Sequence, residues 1–100
     1  MALLQLTITL GGTGAGQAVQ CTATRTPFYF MRIESDIGNA IAYYGTSAVT
    51  TTAYAGTVLA DTATVNNAVE IGAFQAVVSN ADEFWFLGTN SQILRITLIV

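Results

Sequence analysis

The chain lacks histidine and lysine altogether and has a single cysteine, Cys21, among its 100 residues. Most enzymes use His, Cys, Lys or clustered carboxylates for proton transfer, nucleophilic attack or metal binding. Here the remaining charged residues, three arginines and six acids, are scattered along the chain. We therefore predict a protein that is not an enzyme and that uses no cofactor and no metal.

Charge is scarce as well, since 9% of the residues are charged and 52% are hydrophobic, against about 25% charged in ordinary globular domains. A formal net charge of -3 and three isolated arginines give no basic stripe for nucleic acid. The sequence contains no run of about 20 apolar residues, the length that a membrane-spanning helix requires. The N-terminus also lacks the basic and apolar regions of a signal peptide. We expect much of the neutral surface to be covered in an assembly.

Period-two alternation of apolar and polar residues runs through nearly the whole chain, and no window keeps a helical period. Leu4, Leu6, Ile8 and Leu10, for example, alternate with Gln5, Thr7 and Thr9. We predict strands at 4–10, 19–24, 28–34, 40–44, 49–52, 57–59, 69–71, 74–78, 83–87 and 92–100. Turn signals every 8–12 residues or so are typical of a β-sandwich or small barrel. The prediction is a single domain over residues 1–100, an all-β antiparallel sandwich of jelly-roll character.

Three local expectations accompany this prediction. The strand at 28–34 has large residues on both faces, which favours a strand covered on both sides. The runs at 83–87 and 92–100 are expected to form a hairpin across Gly88–Ser91. Cys21 alternates with Val19 and Ala23, so we expect a small buried side chain, and a lone cysteine allows no intramolecular disulfide.

Two motifs invite a binding or catalytic interpretation. The loop Gly11–Gly16 is spaced like a phosphate-binding loop, but Gln17 and Ala18 replace the required lysine and hydroxyl residue. The acid pairs Glu34/Asp36 and Asp82/Glu83 would suit glycoside hydrolysis or calcium. Both pairs sit at the ends of apolar strands, and we interpret them as solvated strand ends.

Aromatic residues form the third group of interest. Phe84 and Phe86 are expected in the core, because alternate residues of a strand face inward. Trp85 and one of Tyr43 or Tyr44 are then expected at the surface, where aromatic rings anchor interfaces or stack on sugar rings. Anchoring is the interpretation that we favour.

The order of features from the strand around Ile33 onward resembles small β-sandwich proteins of tailed bacteriophages, the capsid decoration or cement proteins. The resemblance covers about two-thirds of the chain and rests on patterned glycines and apolar positions. Its features are the turn at Gly38–Asn39, the segment Ile41–Gly45, Val49, Gly56–Leu59, Glu83–Asn90 and a closing hydrophobic strand.

The resemblance implies a virion structural protein, made in the host cytoplasm, that binds the outer surface of an assembled head. Its partners would be the major capsid protein and copies of itself in a homotrimer. Residues 1–16 would be either an N-terminal arm with a glycine-rich loop, reaching the shell or a neighbour, or an ordinary first strand. The candidate contact residues are Arg25, Arg32, Arg95, Tyr44 and Trp85.

Two other functions remain open from the sequence. The first is a phage tail, connector or head-fibre component of similar fold, present in few copies. The second is a monomeric carbohydrate-binding module that uses Tyr43, Tyr44 and Trp85.

Overall fold

The structure, a computed structural model, describes residues 2–11, 14, 16–72 and 76–100. The regular structure of these residues consists of strands and one short 3-10 helix at Ala81–Glu83. The strands are β1 (Leu3–Thr9), β2 (Val19–Gln20), β3 (Pro27–Phe28), β4 (Phe30–Ser35), β5 (Ala42–Gly45), β6 (Gly56–Val58), β7 (Val69–Gly72), β8 (Ser79–Asn80), β9 (Trp85–Leu87) and β10 (Ile93–Ile99).

The strands pair as a nested set, the first with the last and so on inward. β1 pairs with β10, β2 with β9, β3 with β8, β4 with β7 and β5 with β6, all antiparallel. Two further pairings, β10 with β4 and β9 with β5, join these hairpin arms into two four-stranded sheets. Sheet A has the order β1-β10-β4-β7 and sheet B the order β2-β9-β5-β6. This is jelly-roll winding, and the predicted antiparallel sandwich is confirmed.

The two sheets enclose one core, built by the alternation seen in the sequence. Register aligns Leu6, Ile96, Ile33 and Val69 in one row across sheet A. Sheet B contributes its own inward residues, which include Ala42, Val58 and Phe86. Ile33, Val58 and Phe86 are completely buried. Residues from both sheets belong to a single cluster, so the inward faces hold the sandwich together by apolar burial.

The predicted hairpin between 83–87 and 92–100 is wrong. β9 belongs to sheet B, whereas β10 belongs to sheet A. The connection between them crosses from one sheet to the other, and Leu10 holds it there by accepting a hydrogen bond from Ser91 N–H and donating one to the Gln92 carbonyl. Alternation predicts where strands lie but does not distinguish a hairpin from a crossover.

The strand predicted at 49–52 is also absent from the structure. There the Thr50 hydroxyl accepts hydrogen bonds from the backbone N–H groups of Thr52 and Ala53. The Thr50 N–H in turn donates to the Ala53 carbonyl at 2.8 Å. Threonine side chains can bond nearby backbone in this way and compete with a strand ladder, which explains why a β-branched run became a tight loop.

Three other predicted strands differ from the structure. The strand predicted at 19–24 is limited to Val19–Gln20, and Glu83 of the strand predicted at 83–87 lies in the 3-10 helix. In the predicted strand 74–78, Phe74 and Gln75 lie outside the described residues, and 76–78 form no strand before β8. The prediction that 28–34 is covered on both faces is met on one face only. Met31 and Ile33 are fully buried, whereas Phe30, Arg32 and Glu34 on the other face of β4 are half-buried.

Cys21 is buried, as predicted, at 5% exposure beside the end of β2. Burial raises the pKa of its thiol to about 12, because desolvation disfavours the thiolate. The thiol is therefore protonated at neutral pH and is a weak nucleophile.

Residues 3–9, the predicted arm or first strand, form β1 and pair along their whole length with β10 of the same chain. In this strand the core-facing residues become more buried toward the loop. Leu4 is 37% exposed, Leu6 is half-buried and Ile8 is 5% exposed.

Candidate interaction surface

The outer face of sheet B is uncharged and largely apolar, with Gln20 and Thr57 as its polar side chains. Ala42 and Phe86 point to the core, so their strand neighbours point outward. Tyr43 pairs with Leu87 on this side, and Ile41, which precedes β5, is 48% exposed. None of the four strands of sheet B, all within the described part of the chain, carries a charged residue. We call Ile41, Tyr43, Tyr54, Trp85 and Leu87 the apolar face.

Two tyrosines form an aromatic pair on this face. The ring centroids of Tyr43 and Tyr54 are 5.0 Å apart, with a 55° angle between the ring planes. Tyr54 lies outside the strands and remains 49% exposed. Beside the pair, Ile41, Tyr43 and Leu87 line an open groove of about 280 Å³. Tyr43 is the one aromatic ring that lines this groove, and an apolar side chain or a flat ligand could rest against it.

Trp85, a predicted contact residue, lies on the same side of β9 as Leu87. It is opposite Gln20 on β2 and opposite Gly45 on β5. The side chain is half-buried. Because a glycine occupies the neighbouring position on β5, the indole has no large side chain beside it in that strand. This placement suits a surface anchor.

Tyr44, the other predicted aromatic contact, lies on the opposite face of β5 from Tyr43. Its ring stacks on Phe84 with centroids 6.3 Å apart, and it packs against the core cluster. A Cβ atom at Gly56 would lie 2.5 Å from the Tyr44 hydroxyl oxygen, so only glycine fits beneath this ring. Tyr44 therefore helps to close the core, and it is not part of the apolar face.

The outer face of sheet A is different, because it carries rows of polar and charged side chains. Register places Gln5, Thr97, Arg32 and Glu70 in one row across the four strands. The next row contains Thr7, Arg95 and Glu34. We call these seven residues the charged face.

Each of the three predicted contact arginines already faces a carboxylate of its own chain. Arg25 lies 3.4 Å from Asp82 and 3.6 Å from Glu83. Arg32 lies 3.2 Å from Glu34 on the same strand. An interface that used these arginines would have to exchange one carboxylate for another, which yields little net attraction.

Arg95 makes the most regular of these pairs. Its Nε and a terminal guanidinium nitrogen donate to the two oxygens of Asp36 at 2.9 Å and 3.1 Å. This forked arrangement satisfies both groups. The hydrogen bond from Arg95 to Asp36 raises the pKa of the arginine.

Glu34 also meets Asp61, which enters from the connection between β6 and β7. A hydrogen bond between the two carboxyls raises the pKa of Glu34, and burial adds to that rise. The same hydrogen bond lowers the pKa of Asp61, with a further contribution from the Asn67 N–H, which donates to it at 2.8 Å. The contact between the two carboxyls therefore moves their pKa values in opposite directions.

The acid pairs picked out in the sequence are accounted for by these contacts. Glu34 and Asp36 point to different partners, and Asp82 and Glu83 both face Arg25. Among the residues that the structure describes, no group of three potential ligands is arranged for a metal ion. No helix in the same part of the chain is long and apolar enough to cross a membrane.

The glycine loop is tied to the β9–β10 connection at its two ends. Gly12, Thr13 and Ala15 lie outside the described residues. The Gly16 N–H donates to Asn90 Oδ1 at 3.2 Å. Gly11 has a φ of 75°, and a side chain there would overlap Asn90. Both the backbone conformation and the packing therefore favour glycine at this position.

Most residues of the apolar face could not be identified from the sequence. The sequence predicts Trp85 and one of Tyr43 or Tyr44 at the surface, and it gives no such assignment to Ile41, Tyr54 or Leu87. The signal that they share is the absence of charge from the strands that form sheet B, since Glu83, the one charged residue in the strand predicted at 83–87, lies in the 3-10 helix before β9. That signal could be used only after these strands were known to share a sheet.

Comparison of the chain with protein-family models, with curated proteins and with solved structures found no match.

Proposed function

We propose that this protein is a non-enzymatic structural component of a phage head, a cement protein that binds the outer surface of the capsid lattice. The observation that carries the proposal is the uncharged apolar face of sheet B. On a chain with 9% charged residues, such a face favours an assembled state, because covering it removes apolar area from water.

The proposed mechanism is mass action. A protein that binds only the mature lattice stabilises that lattice by its binding free energy. Many identical contacts, repeated by the symmetry of the shell, add up to a large effect even when each contact is modest. The major capsid protein is the partner, and the copies are grouped as trimers on the shell. The protein reaches this place on the virion after synthesis in the host cytoplasm.

The structure refines which residues we assign to the contact. Trp85 stays, and Tyr43, Tyr54, Ile41 and Leu87 join it. Arg25, Arg32 and Arg95 are engaged within the chain, and we give them a secondary role. Tyr44 contributes by supporting the sheet from its inner side.

The experiment that tests this function is the copy number of the protein in purified particles from its source. Quantitative mass spectrometry would compare it with the main shell protein. We expect hundreds of copies in a simple ratio to the shell. A handful of copies would indicate a tail, connector or head-fibre component of similar fold. Absence of the protein from the particles would contradict a virion function.

A second candidate function rests on the Tyr43–Tyr54 pair. Paired rings beside an open groove are the kind of platform on which the apolar face of a sugar stacks, and jelly rolls include lectin domains. A monomeric carbohydrate-binding module would show glycan-dependent quenching of Trp85 fluorescence. A cement protein would show none across a panel of bacterial surface glycans.

A further inference from the structure

The outer edge of β1 is unlike the other three edges of the two four-stranded sheets. The edge strands β2, β6 and β7 have two, three and four residues, whereas β1 has seven. Natural proteins protect long edges with charge, proline, bulges or a covering segment. Between Leu3 and Thr9 there is no charged residue and no proline. The pairing of β1 with β10 runs without a bulge, and no described strand covers the other side of β1.

The alternation of hydrogen bonds between β1 and β10 shows which backbone N–H and C=O groups of β1 face the open edge. Ala2 and Val100 exchange two backbone hydrogen bonds, each 2.8 Å long. In an antiparallel ladder the bonded pairs alternate, so the N–H and C=O groups of Leu3, Gln5, Thr7 and Thr9 point away from β10. All four residues are exposed. The edge is therefore a free ladder of alternating donors and acceptors.

We propose that this edge binds β1 of a second copy of the chain, antiparallel, with a two-fold axis at Leu6. In that register Gln5 pairs with Thr7 of the second copy and Leu3 with Thr9. These are the residues whose backbone groups point outward, so about eight new hydrogen bonds form. Leu6 then meets its own symmetry mate, and Leu4 meets Ile8. The two copies of sheet A become one eight-stranded sheet.

The strand pattern favours a second copy over an unrelated strand. Under the two-fold operation every core-facing residue of β1 meets another core-facing residue, because the register keeps the two faces of the sheet separate. Leu4, 37% exposed and the most exposed of the core-facing residues of β1, gains an apolar neighbour. No like charges meet, since β1 has none.

This pairing goes beyond the proposed function and does not depend on it. It uses the edge of sheet A and leaves the apolar face of sheet B open. On a shell, such pairs would join copies that belong to different trimers.

The test is sedimentation velocity of the purified full chain over a range of concentrations, for the native chain and two variants. Gln5→Pro removes an outward N–H without removing a bond to β10. Gln5→Thr is the matched control, because it keeps that N–H. We expect the native chain and Gln5→Thr to reach even multiples of 10.5 kDa. Gln5→Pro is expected to lose the pairing and sediment at half the mass.

Hydrogen exchange of the native chain is an independent measurement that needs no variant. The amides of Gln5 and Thr7 should exchange at least about ten-fold more slowly at high protein concentration than at low. Free exchange of both amides at every concentration, in a monomer or a trimer, would overturn the pairing and leave the proposed function standing. Protection that requires added shell protein would also overturn it, in favour of a foreign strand.

Discussion

The two outer faces of this sandwich have the same backbone geometry and opposite chemistry. The charged face of sheet A carries Arg32, Glu34, Glu70 and Arg95, and its arginines are paired with nearby acids. The apolar face of sheet B carries only uncharged side chains, with two paired tyrosines and a tryptophan. Contact with water is sufficient to explain the paired charges on the outer face of sheet A, but it does not explain the uncharged side chains on sheet B. The second face is a surface of the kind that contact with another molecule would cover.

The largest expected effect comes from placing a charge on each face in turn. Thr57→Lys adds a cation to β6 on the apolar side, and Glu70→Lys adds one to β7 on the charged side. Both positions are exposed and lie on edge strands. Thr57→Lys should weaken binding to stripped particles by more than about 100-fold, because an unpaired charge would be desolvated in the contact. Glu70→Lys should bind nearly as the native chain does.

Equal binding of these two variants would remove the distinction between the faces. If Glu70→Lys alone lost binding, the roles of the faces would be reversed. Thermal unfolding of each variant shows whether any loss reflects a folding defect.

Truncation of the aromatic anchor is the next effect in size. Trp85→Ala should lower particle affinity by about 30-fold, corresponding to about 2 kcal/mol for a tryptophan at the centre of an interface. Asp61→Ala, on the connection beside the charged face, should have much less effect. Occupancy on particles, measured by quantitative gel or mass spectrometry, compares the two. The same occupancy for both would count against Trp85 as an anchor.

The pH dependence of stability should come from the charged face. Glu34 has a raised pKa in the folded chain, so its stabilising contribution is complete below the pKa of the unfolded chain. That contribution is lost as the pH rises through the folded pKa. Glu34→Gln keeps a donor toward Asp61 and cannot ionise. The Tm of the native chain should therefore fall relative to the variant as the pH is raised above 4.5, the ordinary glutamate value.

Parallel Tm curves for the native chain and Glu34→Gln between about pH 4 and pH 8 would show that ionisation of Glu34 has no effect on folding. Particle binding should not follow the same pH curve, because the apolar face has no acid.

The smallest expected effect is that of salt on particle binding. Because no charged side chain lies on the strands of sheet B, affinity should change less than about two-fold between about 0.05 M and about 0.5 M NaCl. Titration of labelled protein onto particles measures this. A steep fall in affinity with salt would show that the arginines, rather than the apolar face, make the contact.

Alternation in the sequence was sufficient to locate most strands and their inward residues, because burial on one side imposes a period of two. Cys21 and Phe86 were identifiable on that basis. Alternation could not assign β9 and β10 to different sheets, since a hairpin and a crossover have the same local pattern. It also could not predict that Thr50 bonds its own loop in place of a strand.

The candidate surface was less predictable than the fold. The Arg95–Asp36 pair joins residues 59 positions apart, and Tyr54 reaches Tyr43 from a loop. Contacts of this kind depend on how the sheets wind. Tyr44 illustrates the same limit, because adjacent tyrosines on a strand necessarily face opposite sides, and only the register decides which one is outside.

The most direct test is hydroxyl-radical footprinting of the protein free in solution and on purified particles. Trp85, Tyr43 and Tyr54 react readily, and they mark the apolar face. We predict that their oxidation falls on the particle while exposed residues of the charged face remain as reactive as before. Unchanged oxidation of the three aromatic residues, with protection of the charged face instead, would contradict the assignment of sheet B as the contact surface.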